Sequence, residues 1–399
     1  MQEYKILHLA PTVGRLSGGL GPVALGLAQE QSRLGHRATV WFVDSPSEMD
    51  WVQESYSNSL SNIQAFPPLG PRQIGYSPVL EKTILHTEKQ NFDILHQHSI
   101  WMANSRATNR WRKKFKRPTV IAPHGTLEEY ALDRSAWKKK LAAWAYESHN
   151  LAYASCLHAL SEAEAISIRR YGLINPIAII PNGLPEDWIS RKGNARQFRA
   201  KFHISSEKRI LLFLSRLHPK KGLPFLIESA HQLSDRLTDW QILIAGPDEN
   251  GYRREIELLS AKLGTSKLIK FIGPVFGDEK ADAFASSDLL VLPTLSEGAP
   301  VVVLEALGAG VPVITTHGTP WRELESEQCG WWVDVSVEGI RTAMLEAIHL
   351  SKNELREMGE RGRKLVARKY SLARNAGKTI LLYGWLCGTG ERPDFVVTD

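Results

Sequence analysis

The sequence predicts an α/β protein built from two Rossmann-like domains, and three observations lead there. Apolar runs of strand length alternate with amphipathic helical stretches from Tyr4 onward, which implies parallel strands with helices on both faces of each sheet. The alternation breaks at Pro181-Asn182-Gly183 and resumes at Ile210. A chain of 399 residues also exceeds one ordinary hydrophobic core.

Taken in order, Tyr4–Ala10 reads as a strand, Leu20–Leu34 as a helix ended by Gly35, and Ala38–Val43 as a second strand. Residues 45–76 are rich in Ser, Pro and Asn and read as mostly loop. A helix near 78–90 precedes strands at Ile94–Gln97, Thr119–Ala122, Leu157–Leu160 and Ile177–Ile180. The second series has strands at Ile210–Leu214, Gln241–Ala245, Ile269–Ile272, Leu289–Leu292, Val313–Thr315 and Trp331–Val333, then helices over 336–350 and 353–369. The expected boundaries are 1–183 for the first domain, 184–207 for a linker, 208–372 for the second domain and 373–387 for a last helix. The tail over 388–399, with Gly, Pro and few apolar residues, is expected to be disordered.

Hydrophobic residues at 43% and charged residues at 23% are ordinary globular values, which excludes disordered and fibrous classes. Cys156, Cys329 and Cys387 lie far apart with no C-x-x-C spacing, so neither a disulfide framework nor a zinc site is indicated. No run of 18 apolar residues occurs, and Met1 leads into a strand without a basic then apolar leader. A soluble, cytoplasmic protein is expected, with no nucleic-acid partner. The net charge of +6 is uneven: Arg106, Arg110, Arg112, Lys113, Lys114, Lys116 and Arg117 interleave with Trp111 and Phe115, and Lys138–Lys140 lie between Trp137 and Trp144. The stretch 106–144 therefore reads either as a contact with an anionic membrane surface, peripheral at its inner face, or as a solvated helix face.

The densest chemistry lies in Leu289–Thr316, LLVLPTLSEGAPVVVLEALGAGVPVITT. A buried strand leads to a loop with Glu297, Gly298 and Ala299. A helix then opens near Pro300, where the missing proline N–H costs nothing. The amides of Val301 and Val302 become free donors at the positive end of the helix dipole, suited to phosphate or a sugar hydroxyl. Glu297 precedes the helix and Glu305 lies inside it, so the two acids bracket that site. Capping explains Glu297 alone, and a solvated or paired side chain explains Glu305 alone; neither explains the whole string.

Ser215–Gly222, after the first strand of the second series, places Arg216 and Lys221 five residues apart at the mouth of a parallel strand, where an oxyanion such as a diphosphate binds. Gly18, Gly19 and Gly21 open the first helix. Gly19, Gly21 and Ala24 also fit a dinucleotide fingerprint with Asp44, but eight residues separate Ala10 from Gly19, where that fingerprint should follow its strand directly. His124 follows a strand, and His98 and Trp101 end another. Imidazole and indole groups there suit sugar contacts or core packing. No D-x-D occurs, so no metal-bridged diphosphate and no metal site are indicated.

Glu297, Gly298, Pro300, Leu304, Glu305, Ala306, Gly310, Pro312 and Val313 resemble the E-x7-E segment of retaining GT-B glycosyltransferases of the family 4 type. Arg216, Lys221 and Gly222 resemble that family's R-x4-K-G motif, and Gly18–Gly21 its G-G-x-G turn. The resemblance implies two domains facing across a cleft, with the last helix crossing back to the first domain. It implies His124, Arg216, Lys221 and Glu297 as catalytic residues. Gly18, Gly19, Gly21, Val275, Gly298, Ala299, Pro300, Val301, Val302 and Glu305 would bind donor, and His98 and Trp101 would lie on the acceptor side. The expected reaction moves a sugar from a nucleoside-diphosphate sugar to a saccharide or lipid-linked saccharide hydroxyl, without cofactor, in polysaccharide, lipopolysaccharide or glycolipid assembly. A sugar-nucleotide epimerase or a non-catalytic sugar-nucleotide sensor would use the same fold.

Overall fold

A computed structural model describes residues 2–14, 19–45, 48–50, 52, 62–71 and 74–398. The chain divides into two compact units, Met1–Gly183 with Leu372–Asp399, and Leu184–Ser371. Each is an α/β layer structure around its own sheet.

The first sheet contains β1 (Lys5–Ala10), β2 (Arg37–Val43), β3 (Ile63–Phe66), β4 (Ile94–His98), β5 (Thr119–Ala122), β6 (Cys156–Ala159), β7 (Ile177–Ile179) and β14 (Val396–Val397). Their order is β14-β7-β6-β5-β4-β1-β2-β3, parallel throughout except where β14 pairs antiparallel with β7. The strands β4, β5 and β6 are fully buried, as expected when helices cover both faces of a parallel sheet. The helix Leu20–Arg33 packs beside the helix Leu372–Leu386, and a side chain at Gly26 would press on Leu372.

The second sheet contains β8 (Arg209–Leu214), β9 (Trp240–Ala245), β10 (Ile269–Gly273), β11 (Leu289–Leu292), β12 (Val313–Thr316) and β13 (Gly330–Val333), in the order β10-β9-β8-β11-β12-β13 and all parallel. The order reverses between β8 and β11, and the loops that leave those two strands carry the residues singled out in the second series. Ligands of open parallel sheets bind at such a reversal, off the carboxyl ends of the strands.

Three expectations are revised. Within residues 45–76, read as mostly loop, Ile63–Phe66 forms the parallel edge strand β3; four residues before Pro67-Pro68, of which Phe66 alone is buried, carry almost no alternation signal. Residues 184–207 are helical rather than a plain linker: Glu186–Ser190 and Ala195–Lys201 belong to the second unit. Asn194 caps the second of these through Gln197 N–H, and its own N–H donates to Asp282 Oδ1 at 2.5 Å. The tail is ordered. Val396 is buried, Ile179 N–H donates to Phe395 C=O at 3.0 Å, and the Thr389 hydroxyl meets the Tyr4 hydroxyl at 2.5 Å. Pairing with the β7 edge stabilises this segment, a gain its local composition does not reveal.

Candidate functional site

In the second unit, β8 runs into a single 3₁₀ turn, Pro219–Lys221, ended by Gly222 in the left-handed region at φ 68°. A side-chain carbon at Gly222 would sit 1.8 Å from the Pro293 carbonyl oxygen, so only glycine lets this loop lie against the one after β11. The loops are joined through one acceptor: Leu295 N–H donates to the Lys220 carbonyl at 2.9 Å and the Thr294 hydroxyl donates to it at 3.0 Å. That junction brings Lys221 Nζ to 2.6 Å from Glu297 Oε1, with the two side chains 10% and 20% exposed. A pair so shielded is held much more firmly than one on an open surface, and loss of either partner strands the other charge.

Three residues beyond Glu297, Pro300 at φ −65° and ψ 113° leads into the helix Val301–Gly308. Its first-turn amides, Val301 and Val302 among them, have no intrahelical acceptor and sit at the positive end of the dipole. Gly298 and Ala299 are half-exposed before it. On the second turn Glu305 Oε1 accepts from Lys280 Nζ at 2.6 Å, while the Glu305 carbonyl accepts from the Trp188 indole at 3.1 Å. Arg216, half-exposed, pairs with Glu249 at 2.6 Å. Lys221 and Glu297 are therefore brought together, whereas Arg216 and Glu305 each take a partner, Glu249 and Lys280, that sequence reasoning had not singled out. Val275 is buried at the end of β10, and Trp321 is core, tilted against Tyr370 at 5.2 Å.

In the first unit, His124 follows β5 at φ 55°, a left-handed conformation uncommon outside glycine, with Gly125 at φ 73°. Glu164 holds this turn. One carboxylate oxygen accepts from Gly125 N–H at 2.6 Å and the other from Leu160 N–H at 2.7 Å. Burial pushes the Glu164 carboxyl up to about 7, against the opposing pull of those two N–H groups. Nothing in the sequence marked Glu164, because its partners are backbone amides.

Around His124 lie four more histidines, His8, His96, His98 and His158, all buried. Burial lowers His8 and His158 to about 4 and His124 to about 3, and holds His96 and His98 well below the usual imidazole range. All five are neutral at pH 7. His98, expected on the acceptor side, has one ring nitrogen at 3.0 Å from His8 and the other at 3.2 Å from His124. Both of its nitrogens are thus engaged within the fold, and a ligand would meet His124 instead.

Trp101 is half-buried at φ 72°, with its indole N–H given to the Thr126 carbonyl at 3.2 Å. Its backbone N–H donates to Glu147, which a π-helical turn over Ala143–Glu147 carries inward. Gly18 lies outside the described residues. Gly19 is exposed at the start of the helix Leu20–Arg33, and Gly21 is buried in its first turn. The Asp44 carboxylate accepts from the Thr12 hydroxyl and from Ser45 N–H, so it is engaged locally rather than presented to a ribose.

Two family models match, Glycosyl transferase 4-like domain over residues 18–183 and Glycosyl transferases group 1 over residues 194–365. A phosphatidyl-myo-inositol mannosyltransferase of Mycobacterium leprae is 24% identical over 97% of this chain and 98% of its own length. A D-inositol 3-phosphate glycosyltransferase of Streptomyces bingchenggensis is 28% identical over 57% of this chain, which spans about half, 52%, of that relative. Among solved structures, Anabaena HepE in complex with UDP-glucose aligns with a TM-score of 0.77 at 17% identity, covering 95% of this chain and 99% of HepE. The two models together account for more than four-fifths of the residues, and with two Rossmann-like sheets the chain belongs to the GT-B glycosyltransferases of the family 4 type.

Proposed function

We propose that this glycosyltransferase moves a sugar from a nucleoside-diphosphate sugar to a hydroxyl acceptor, with retention at the anomeric carbon and without a metal ion. The observation that carries this reading is the shielded Lys221–Glu297 pair just before the free amides of the helix Val301–Gly308. As the glycosidic bond breaks, negative charge grows on the β-phosphate. Lys221, Arg216 and the Val301 and Val302 amides are fixed positive groups for that charge, and one such donor is worth about 3 to 4 kcal/mol in a transition state. Lys221 occupies one oxygen of Glu297, and the other is left to accept from a sugar hydroxyl. Glu305 takes the ribose. The departing phosphate accepts the acceptor's proton, so same-face transfer needs no separate base.

The HepE complex with UDP-glucose supports a sugar-nucleotide donor, and the inositol-directed names of the relatives support a polyol, saccharide or lipid-linked acceptor. Membrane contact belongs to the second half of the basic stretch. Arg106 and Arg110 pair with Glu81, Lys114 with Glu88 and Arg117 with Asp93, and Trp111 is buried. Trp137, Leu141 and Trp144 are instead 68%, 58% and 85% exposed beside Lys138 and Lys140.

Thermal shift against UDP, GDP, ADP, their sugar conjugates and NAD tests the donor class. A ligand at a hundred times its Kd stabilises by about 2.7 kcal/mol. Stabilisation by one nucleoside-diphosphate family, with sugar transferred only when acceptor is present, is expected. Stabilisation by NAD alone overturns the reading, and conversion of donor without acceptor indicates an epimerase.

A further inference from the structure

The four buried histidines and His124 form a chain whose proton positions can be read from one end. His158 Nε2 lies 2.7 Å from the Ile180 carbonyl, which can only accept, so His158 carries its proton on Nε2 and leaves Nδ1 bare. His96 Nε2, 3.3 Å from that bare nitrogen, must donate to it, which leaves His96 Nδ1 to accept the Tyr383 hydroxyl at 2.7 Å. With its proton spent there, the Tyr383 oxygen accepts from Gln31 Nε2 at 3.3 Å. The same amide nitrogen donates to the Thr379 hydroxyl at 2.9 Å, whose own proton goes to the Ala376 carbonyl. Gln31 Oε1 therefore faces His8 and accepts from its Nε2 at 2.7 Å. His8 Nδ1 is then bare and takes the proton of His98 Nε2 at 3.0 Å, and His98 Nδ1 takes that of His124 Nε2 at 3.2 Å.

Every bond runs the same way, from His124 through His98, His8, Gln31, Tyr383, His96 and His158 to Ile180. One backbone carbonyl thus fixes the tautomer of a half-exposed imidazole seven hydrogen bonds away. Among the described residues nothing donates to His124 Nδ1, and His124 lines a small pocket with Val23, Asn182, Gly183 and Asn375. His8, His96 and His98 also bring ring nitrogens within 4.8 Å of one another, the spacing of a metal site, but the chain already uses both nitrogens of each ring.

We propose that His98, His8, Gln31, Tyr383, His96 and His158 are positioning residues that lock His124 as the Nε2–H tautomer, so that its bare Nδ1 accepts a ligand O–H and refuses a carboxylate or carbonyl at that point. Resting on the donor reading above, the ligand group is a hydroxyl of the sugar or acceptor.

The full chain labelled with ¹⁵N-histidine, free of ligand at pH 7.5, supplies the test through long-range ¹H–¹⁵N correlation, with His124→Gln assigning the signal. Expected is a His124 ring with protonated Nε2 and bare Nδ1. A protonated Nδ1, or one zinc per chain in the purified protein, overturns the inference. Gln31→Leu removes the acceptor of His8, and the His124 signals should move toward the average of the two tautomers; unchanged signals overturn the relay. His98→Gln keeps an acceptor oxygen for His124 and should restore the bare Nδ1 that His98→Leu loses, which provides a second cut where Gln31→Leu does not fold. Adding UDP-glucose or GDP-mannose, whichever gives a thermal shift, or a saccharide acceptor should displace the Nδ1 signal as it accepts an O–H; a signal displaced by neither overturns the hydroxyl assignment. Absence of any thermal shift instead counts against the donor reading and leaves the ligand-free tautomer result standing.

Discussion

Lys221 is the side chain with the least room for exchange, because it is tied to Glu297 and is also the proposed countercharge for the leaving diphosphate. Lys221→Ala should lower turnover on the order of a hundredfold, measured as kcat with whichever sugar nucleotide stabilises the protein. A normal rate would remove Lys221 from the mechanism. Glu164 gives a second residue-level prediction. Its folded pKa of about 7 stands above the 4.5 of an ordinary glutamate, so the folded state holds the proton more tightly. The stabilisation is complete below pH 4.5 and is lost as pH rises toward 7. Glu164→Gln abolishes that slope and strands one of two buried N–H donors, a cost of about 1 to 3 kcal/mol. The gap in urea midpoint between wild type and variant should narrow from pH 5 to pH 7.5, and a constant gap would contradict the assignment. Lys221 and Glu297 could be singled out because charged side chains stand at fixed spacing just after two apolar strand runs. Glu164 and Gln31 could not, since their partners come from other strands or from backbone.

At the scale of the element, the strands of both sheets were readable from apolar runs bounded by turn residues, and the least readable pieces were those stabilised only by pairing. β14 illustrates this. Ending the chain after Cys387 removes Thr389, Phe395 and Val396 and exposes the β7 edge. Burial of a side chain such as Val396 is worth about 1.5 to 3 kcal/mol, so calorimetry should find the truncated protein less stable by about that amount. An unchanged Tm would mean that the pairing contributes nothing.

Across the whole molecule, charge and apolar exposure part company. Most cations of 106–117 are paired or hydrogen-bonded within the first unit, and the exposed tryptophans lie further on, at 137 and 144. Co-sedimentation with anionic vesicles should fall for Trp137→Ala with Trp144→Ala, but not for Arg106→Ala with Arg110→Ala. The reverse order would place contact on the wrong segment. No helix of the described residues is long and apolar enough to cross a membrane. The sequence contains the basic aromatic stretch but not this division, because pairing with Glu81, Glu88 and Asp93 depends on tertiary neighbours.

The return of Leu372–Val397 to the first unit also imposes an order on biosynthesis. A ribosome releases all of Leu184–Ser371, a contiguous sheet with its own core, before it releases the helix whose Tyr383 joins His96 or the strand that covers β7. Domains fold as units as they emerge. The nascent first unit must therefore wait, with an open sheet edge and a histidine chain lacking its middle link, while the second is made. Slow translation through 184–371 would prolong that exposure, which makes the unfinished first sheet the natural client for a chaperone.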